Sequence, residues 1–165
     1  VLTENDLAHL RRCVELAEEA LEAGDEPFGS VLVGPDNKVL AEDRNRIAET
    51  GDPTQHPEFN LARWAAANLS PEERAACTMY TSGEHCPMCA AANGWVGIGR
   101  IVYASSSRQL MEWLKEFGAP EPPVRPLPVG EVAPGIIVEG PAPELAGRIR
   151  ELQRRAYERR KRVPS

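Results

Sequence analysis

CTMYTSGEHCPMCAAANGWVGIGRIVYA, the stretch Cys77–Ala104, changes element type twice and decides the fold class. Its β-branched and aromatic opening predicts a strand at Cys77–Thr81, and a second such run predicts another at Arg100–Ala104. Between them, alanine-rich Pro87–Val96 reads as a helix entered through a proline at its first turn, where the missing N–H would have had no intrahelical acceptor anyway. Downstream, Ser107–Phe117 predicts a helix, Val124–Val129 a strand despite its prolines, and Pro141–Lys161 a final helix. A hairpin between the strands at Arg100–Ala104 and Val124–Val129 would need only a few residues, whereas a helix separates them. They are therefore expected to be parallel. Upstream, Leu7, Leu10, Val14, Ala17 and Leu21 recur at spacings of three and four through Thr3–Ala23, the mark of an amphipathic helix. Phe28–Val33 and Lys38–Asp43 form a hairpin about the turn Gly34–Asn37, Asp43–Gly51 is polar loop, and Glu58–Asn68 is helix. Strands alternating with helices predict an α/β architecture with a partly parallel sheet.

The 165 residues suit one domain spanning 1–165, with 42% hydrophobic and 27% charged residues in the ordinary globular range. Val1–Leu10 shows neither a basic start nor an apolar run, and no stretch approaches the ~20 apolar residues of a membrane span, so a cytoplasmic location is expected. The net charge of −6 is uneven: Arg148–Arg162 carries eight basic and two acidic residues, and the remainder is net −12. The basic end reads as a solvated helix face, with RNA contact as the alternative.

Two short segments carry chemistry. His56-Pro57-Glu58 and Cys86-Pro87-Met88-Cys89 each sit at a predicted helix start. Cys86 and Cys89 are three apart, so both sulfurs can reach one ion from a single turn. The positive end of the helix dipole favours their thiolates. His56 would add a nitrogen. Two sulfurs and one nitrogen are ligands that zinc prefers, and three of them leave a fourth tetrahedral position for a water made acidic by the metal. Glu58 is placed to take that water's proton and pass it on. Cys13 and Cys77 read as buried thiols.

His56-x-Glu58 followed by Cys86-x-x-Cys89 resembles the signature of the zinc-dependent cytidine and nucleobase deaminase superfamily. Pro27-Phe28-Gly29, Asp52-Pro53-Thr54-Gln55-His56 and Tyr80-Thr81-Ser82-Gly83-Glu84 look like its guanine deaminase and tRNA adenosine deaminase branch, and the similarity runs from about Leu7 to Ala104. This resemblance implies a three-layer α/β/α sandwich with a mixed five-stranded sheet. It implies Zn2+ on His56, Cys86 and Cys89, with Glu58 as catalytic proton shuttle. It also implies hydrolytic removal of an amino group from a guanine-, cytosine- or triazine-like heterocycle, and a homodimer. Asn45 is expected to hydrogen-bond the substrate, with Phe28, His85 and Trp95 as further substrate contacts. Two positions depart from the family pattern: Pro57 stands where alanine or valine is usual, and His85 where proline is usual.

Competing readings differ in class. One is a tRNA adenosine deaminase, for which the basic helix speaks and the acidic remainder speaks against. Another is a non-catalytic zinc module in which His56, His85, Cys86 and Cys89 close a four-ligand site. Against the latter, the adjacent residues His85 and Cys86 rarely point the same way.

Overall fold

The computed structural model of the protein describes residues 1–163. Thr3 opens α1 (Glu4–Glu22) with a capping box: its hydroxyl accepts from Asp6 N (3.1 Å), and the Asp6 carboxylate accepts from Thr3 N (2.8 Å). Of the predicted stripe, Leu10, Val14, Ala17 and Leu21 are buried, while Leu7 is only half-buried. β1 (Gly29–Val33) lies directly under this helix. A Cβ at Gly29 would collide with Cys13 O and Leu16 Cβ, so glycine alone allows the approach. There follow β2 (Val39–Arg44), α2 (Ile47–Thr50), α3 (Pro57–Asn68), α4 (Pro71–Ala75), β3 (Thr78–Gly83) and α5 (Pro87–Val96). β4 (Arg100–Ser105), α6 (Ser107–Phe117), α7 (Val129–Val132), β5 (Ile137–Glu139) and α8 (Pro143–Arg162) complete the order.

The sheet runs β2-β1-β3-β4-β5. β1 is antiparallel to β2 and to β3, whereas β3, β4 and β5 are mutually parallel. Alternate residues face opposite layers. Val31, Val33, Tyr80, Val102 and Ala104 pack against α1, Trp113 of α6, and Ile149, Leu152 and Ala156 of α8. Leu32, Met79 and Ile101 face the other way, onto Leu61 and Ala65 of α3, Ala90 of α5, and Ile98 and Val129. The expected three-layer mixed sandwich, with its last two strands parallel, is the observed architecture. No helix among the described residues is long and apolar enough to cross a membrane.

Several local expectations are corrected. The last strand is Ile137–Glu139 and not Val124–Val129. Pro122, Pro123, Pro126 and Pro128 have no N–H to give a ladder, whereas Ile137 N donates to Gly99 O at 3.2 Å. The loop expected at Asp43–Gly51 holds the end of β2 and the short α2. The basic residues of α8 are not merely a solvated face. Arg159 reaches the backbone carbonyls of Leu21 (2.6 Å) and Asp25 (2.9 Å), and Arg160 reaches Glu26 (2.7 Å). Arg148 pairs with Glu18, Arg150 with Glu116, and Arg154 with Glu151 and Glu158.

One polar cluster joins four elements. Arg100 donates to both Asp6 oxygens (2.8 and 3.1 Å) and to Glu139 (2.6 Å), and the Tyr80 hydroxyl donates to Asp6 (2.7 Å). Burial alone would raise the Asp6 pKa, but the hydrogen bonds from Arg100, Thr3 and Tyr80 outweigh it and hold the carboxyl well below its usual range. Because the folded pKa is depressed, the stabilisation is complete above the unfolded value of 3.8 and is lost as pH falls through the folded one. Asp6→Ala should therefore cost about 1–3 kcal/mol at neutral pH, since Arg100 loses two charge-assisted hydrogen bonds and keeps Glu139 as its only carboxylate partner. Urea unfolding measured against pH should also show a shallower decline below pH ~4 in Asp6→Asn than in wild type. Parallel acid limbs in the two proteins would show that the pair does not set acid stability.

Candidate active site

α3 and α5 begin side by side, and their first turns hold the predicted donors. His56 is the N-cap of α3 and Cys86 the N-cap of α5; each is extended, and each is followed by a proline at the first helical position. Cys89 lies one turn into α5 and is fully buried. Asn93 locks the two helix starts together: its side-chain amide donates to Glu58 O (3.2 Å) and Cys89 O (2.9 Å).

The three donor atoms form a compact triangle. His56 Nδ1 is 3.5 Å from each sulfur, and the sulfurs are 3.4 Å apart. Bonds of about 2.3 Å to sulfur and 2.0–2.1 Å to nitrogen at tetrahedral angles require separations of about 3.5–3.8 Å, so the set fits zinc. Packed this closely, the three groups share protons. The hydrogen bond from Cys89, aided by one from His56 and opposed by burial, draws the Cys86 thiol down to about 4. Its hydrogen bond to Cys86, together with burial and the charge of Glu58, holds the Cys89 thiol up. The bond to Cys86 also raises His56. A dication would take the place of those shared protons.

Glu58 sits in the first turn of α3, only 4% exposed. Its Oε1 accepts from Thr81 Oγ1 (2.9 Å) and Ser30 Oγ (3.2 Å). Ser30 and Thr81 are register partners on β1 and β3, so the sheet itself aims the carboxylate.

A cavity of about 490 Å³ opens onto His56, Glu58 and Cys86. Phe28, Asn45, Ile47 and Met88 line it on one side. Leu110, Met111, Pro122, Pro123, Val124 and Pro126 close the other, which is where the segment wrongly read as a strand is employed. Glu26, Glu58 and Glu84 are its acidic lining residues, and among the described residues no lysine or arginine lines it. Glu84 is a staple: its two oxygens accept from Ser107 N and Val129 N, both at 2.9 Å. Asn45 Oδ1 accepts from Ile47 N (3.1 Å), which assigns the amide orientation and leaves Nδ2, a donor, as the group available to a ligand.

Of the four expected substrate contacts, Asn45 and Phe28 line this cavity, and His85 and Trp95 do not. His85 is fully buried behind the first turn of α5, with neither ring nitrogen hydrogen-bonded; burial lowers its pKa. It stands apart from the donor triangle, so the four-ligand closed site is not formed among the described residues. Trp95 is 91% exposed on a different groove beside Ala133 and Ile136. The side-chain roles of Ser30, Thr81, Asn93 and Glu84 are additions made by the structure. Asn93 lies one helical turn beyond Cys89, and Thr81 and Glu84 fall within the motif Tyr80–Glu84; the pairing of Ser30 with Thr81 exists only in the sheet register.

Comparison with known proteins gives a consistent picture. Residues 3–105 match the model of the cytidine and deoxycytidylate deaminase zinc-binding region. A probable cytosine deaminase of Schizosaccharomyces pombe is 34% identical over 117 residues, covering 71% of this chain and 70% of its own. Guanine deaminase of Bacillus subtilis is 37% identical over 109 residues, 66% of this chain and 69% of the relative. A solved structure from a study of A-to-I editing by tRNA:A34 deaminases superposes with a TM-score of 0.63 at 26% identity, covering 88% of this chain and 99% of that one.

Proposed function

The chain belongs to the cytidine and deoxycytidylate deaminase zinc-binding family, and from that premise we propose that it is a zinc-dependent aminohydrolase acting, within one catalytic domain, on an unphosphorylated free base, nucleoside or related heterocycle. The cavity lining carries this reading: it holds Glu26, Glu58 and Glu84 and, among the described residues, no lysine or arginine, and it opens onto the donor triangle. A planar neutral ring is compatible with such walls, whereas a phosphate would find no lysine or arginine of the lining to pair with.

Bound by His56, Cys86 and Cys89, zinc supplies the Lewis acidity that makes a water nucleophilic near neutral pH. Glu58 takes that water's first proton and delivers it to the ring nitrogen beside the amino-bearing carbon. As the water oxygen bonds to that carbon, the ring centre becomes tetrahedral. Glu58 then carries the second proton to the amino group, the C–N bond breaks, ammonia leaves and a ring carbonyl remains. Ser30 and Thr81 hold one carboxylate oxygen still while the other exchanges protons. Asn45 Nδ2 donates to an acceptor on the far edge of the ring, and Phe28 covers a face.

The RNA reading is the second one, and the intramolecular pairs of Arg148, Arg150, Arg154, Arg159 and Arg160 in α8 give it less weight than the sequence alone does. An ammonia-release screen over bases, nucleosides, aza-substituted rings, nucleoside monophosphates and tRNA decides between them. A base or nucleoside should be turned over, with its monophosphate at least about tenfold poorer in kcat/KM. Turnover confined to tRNA, with steep salt dependence of binding, would replace this reading with the RNA one.

A further inference from the structure

We infer that Arg159, on α8, is a positioning residue for the substrate wall that Asn45 completes, an inference that rests on the deaminase reading. The last turn of α1 contains no basic residue of its own, so cations reach its outward-facing carbonyls from elsewhere; Arg44 donates to Glu19 O at 3.3 Å. Arg159 supplies another from 138 positions away, donating to Leu21 O at 2.6 Å, and with its other amine to Asp25 O at 2.9 Å. Beside it, Arg160 pairs with Glu26 (2.7 Å), and the buried Gln153 donates to Pro27 O (3.4 Å). Three residues of one helix thus grip three consecutive positions of one loop, Asp25, Glu26 and Pro27, directly before Phe28.

That loop is the wall. Glu26 and Phe28 line the cavity. Asp25, itself 1% exposed, accepts from Ala48 N (2.8 Å) and Glu49 N (3.1 Å) with one oxygen, and Phe28 O accepts from Asn45 N (3.0 Å). Asn45 in turn is oriented by Ile47 N. The route from Arg159 to the ring-binding amide runs through Asp25 and α2, and bypasses His56, Cys86, Cys89 and Glu58. Loss of the clamp therefore loosens substrate binding and leaves metal binding and proton transfer intact.

The test compares Arg159→Ala with Arg150→Ala in the zinc-loaded protein. Arg150 lies on the same helix but pairs with Glu116 and stacks on Phe117, away from the wall. In Arg159→Ala, hydrogen exchange at the Ala48 and Glu49 amides should quicken about tenfold or more, with Arg150→Ala like wild type. KM for the best substrate of the screen should rise roughly tenfold, with kcat within about a factor of two and zinc content unchanged. Added to Asn45→Ala, the same substitution should raise KM little further, because the two act on one contact. Unchanged exchange at Ala48 and Glu49 would overturn the clamp, whether or not any substrate is found. Quickened exchange with an unmoved KM, or additive losses in the double variant, would overturn its link to substrate. A wild-type protein inactive on every heterocycle would count against the functional reading alone, since the exchange data stand without it.

Discussion

Glu58→Gln should retain one zinc per chain and near-native stability while losing at least about 10²–10⁴-fold in kcat. The amide fills the same volume and still offers an oxygen to Ser30 and Thr81, so packing and local hydrogen bonds survive. What disappears is a group able to receive a proton and return it. Glu58→Ala should be as inactive, and its fold should also hold: Thr81 can turn its hydroxyl wholly to Gly83 O, 3.0 Å away, and alanine suits the first turn of α3. Steady-state ammonia release, metal analysis and thermal melts separate the three properties. Turnover near wild type in Glu58→Gln would mean that the proton travels by another route.

His56→Ala, Cys86→Ala and Cys89→Ala should instead lose metal and activity together. Each removes one corner of a triangle with edges of 3.4–3.5 Å, and two donors cannot hold the ion at comparable affinity. Metal that binds only the folded state adds about 2.7 kcal/mol of stability at 100 times its Kd, so these variants should melt like chelated wild type, unlike the Glu58 variants. Cys13→Ala and Cys77→Ala are the controls: both thiols are buried in the core, away from the triangle, and their loss should leave zinc stoichiometry at one. Full zinc in both Cys86→Ala and Cys89→Ala would sink the assignment.

The grouping of His56, Cys86 and Cys89 was legible because it is written in short local motifs. A proline after His56 and after Cys86 marks two helix starts, and the three-residue spacing of the cysteines puts both sulfurs on one turn. The order of strands and helices likewise gave the parallel pair through the length of its crossover, even though the strand itself was sought at Val124–Val129. That miss has a physical cause: hydrophobicity and β-branching describe a side chain, whereas a ladder needs N–H groups that Pro126 and Pro128 lack. The sequence points to His85 through its place beside Cys86 and to Trp95 as an aromatic that could pack on a planar ring. Helical rotation, however, turns Trp95 onto another face, and the strand-to-helix turn buries His85. The contacts of Arg159 span more than 130 positions, and no local pattern announces them.

The proline-rich wall of the cavity lies outside the elements that hold the molecule up. Pro122, Pro123, Val124 and Pro126 present apolar surface to the slot, yet they are exposed and belong to no strand or helix. The donors, Glu58 and its hydroxyl partners are all anchored on the sheet and the two buried helix starts. Mutagenic libraries confined to residues 120–127 can therefore redraw the outline of the acceptable heterocycle at little expense in folding, which makes this segment the natural place to begin evolving new selectivity.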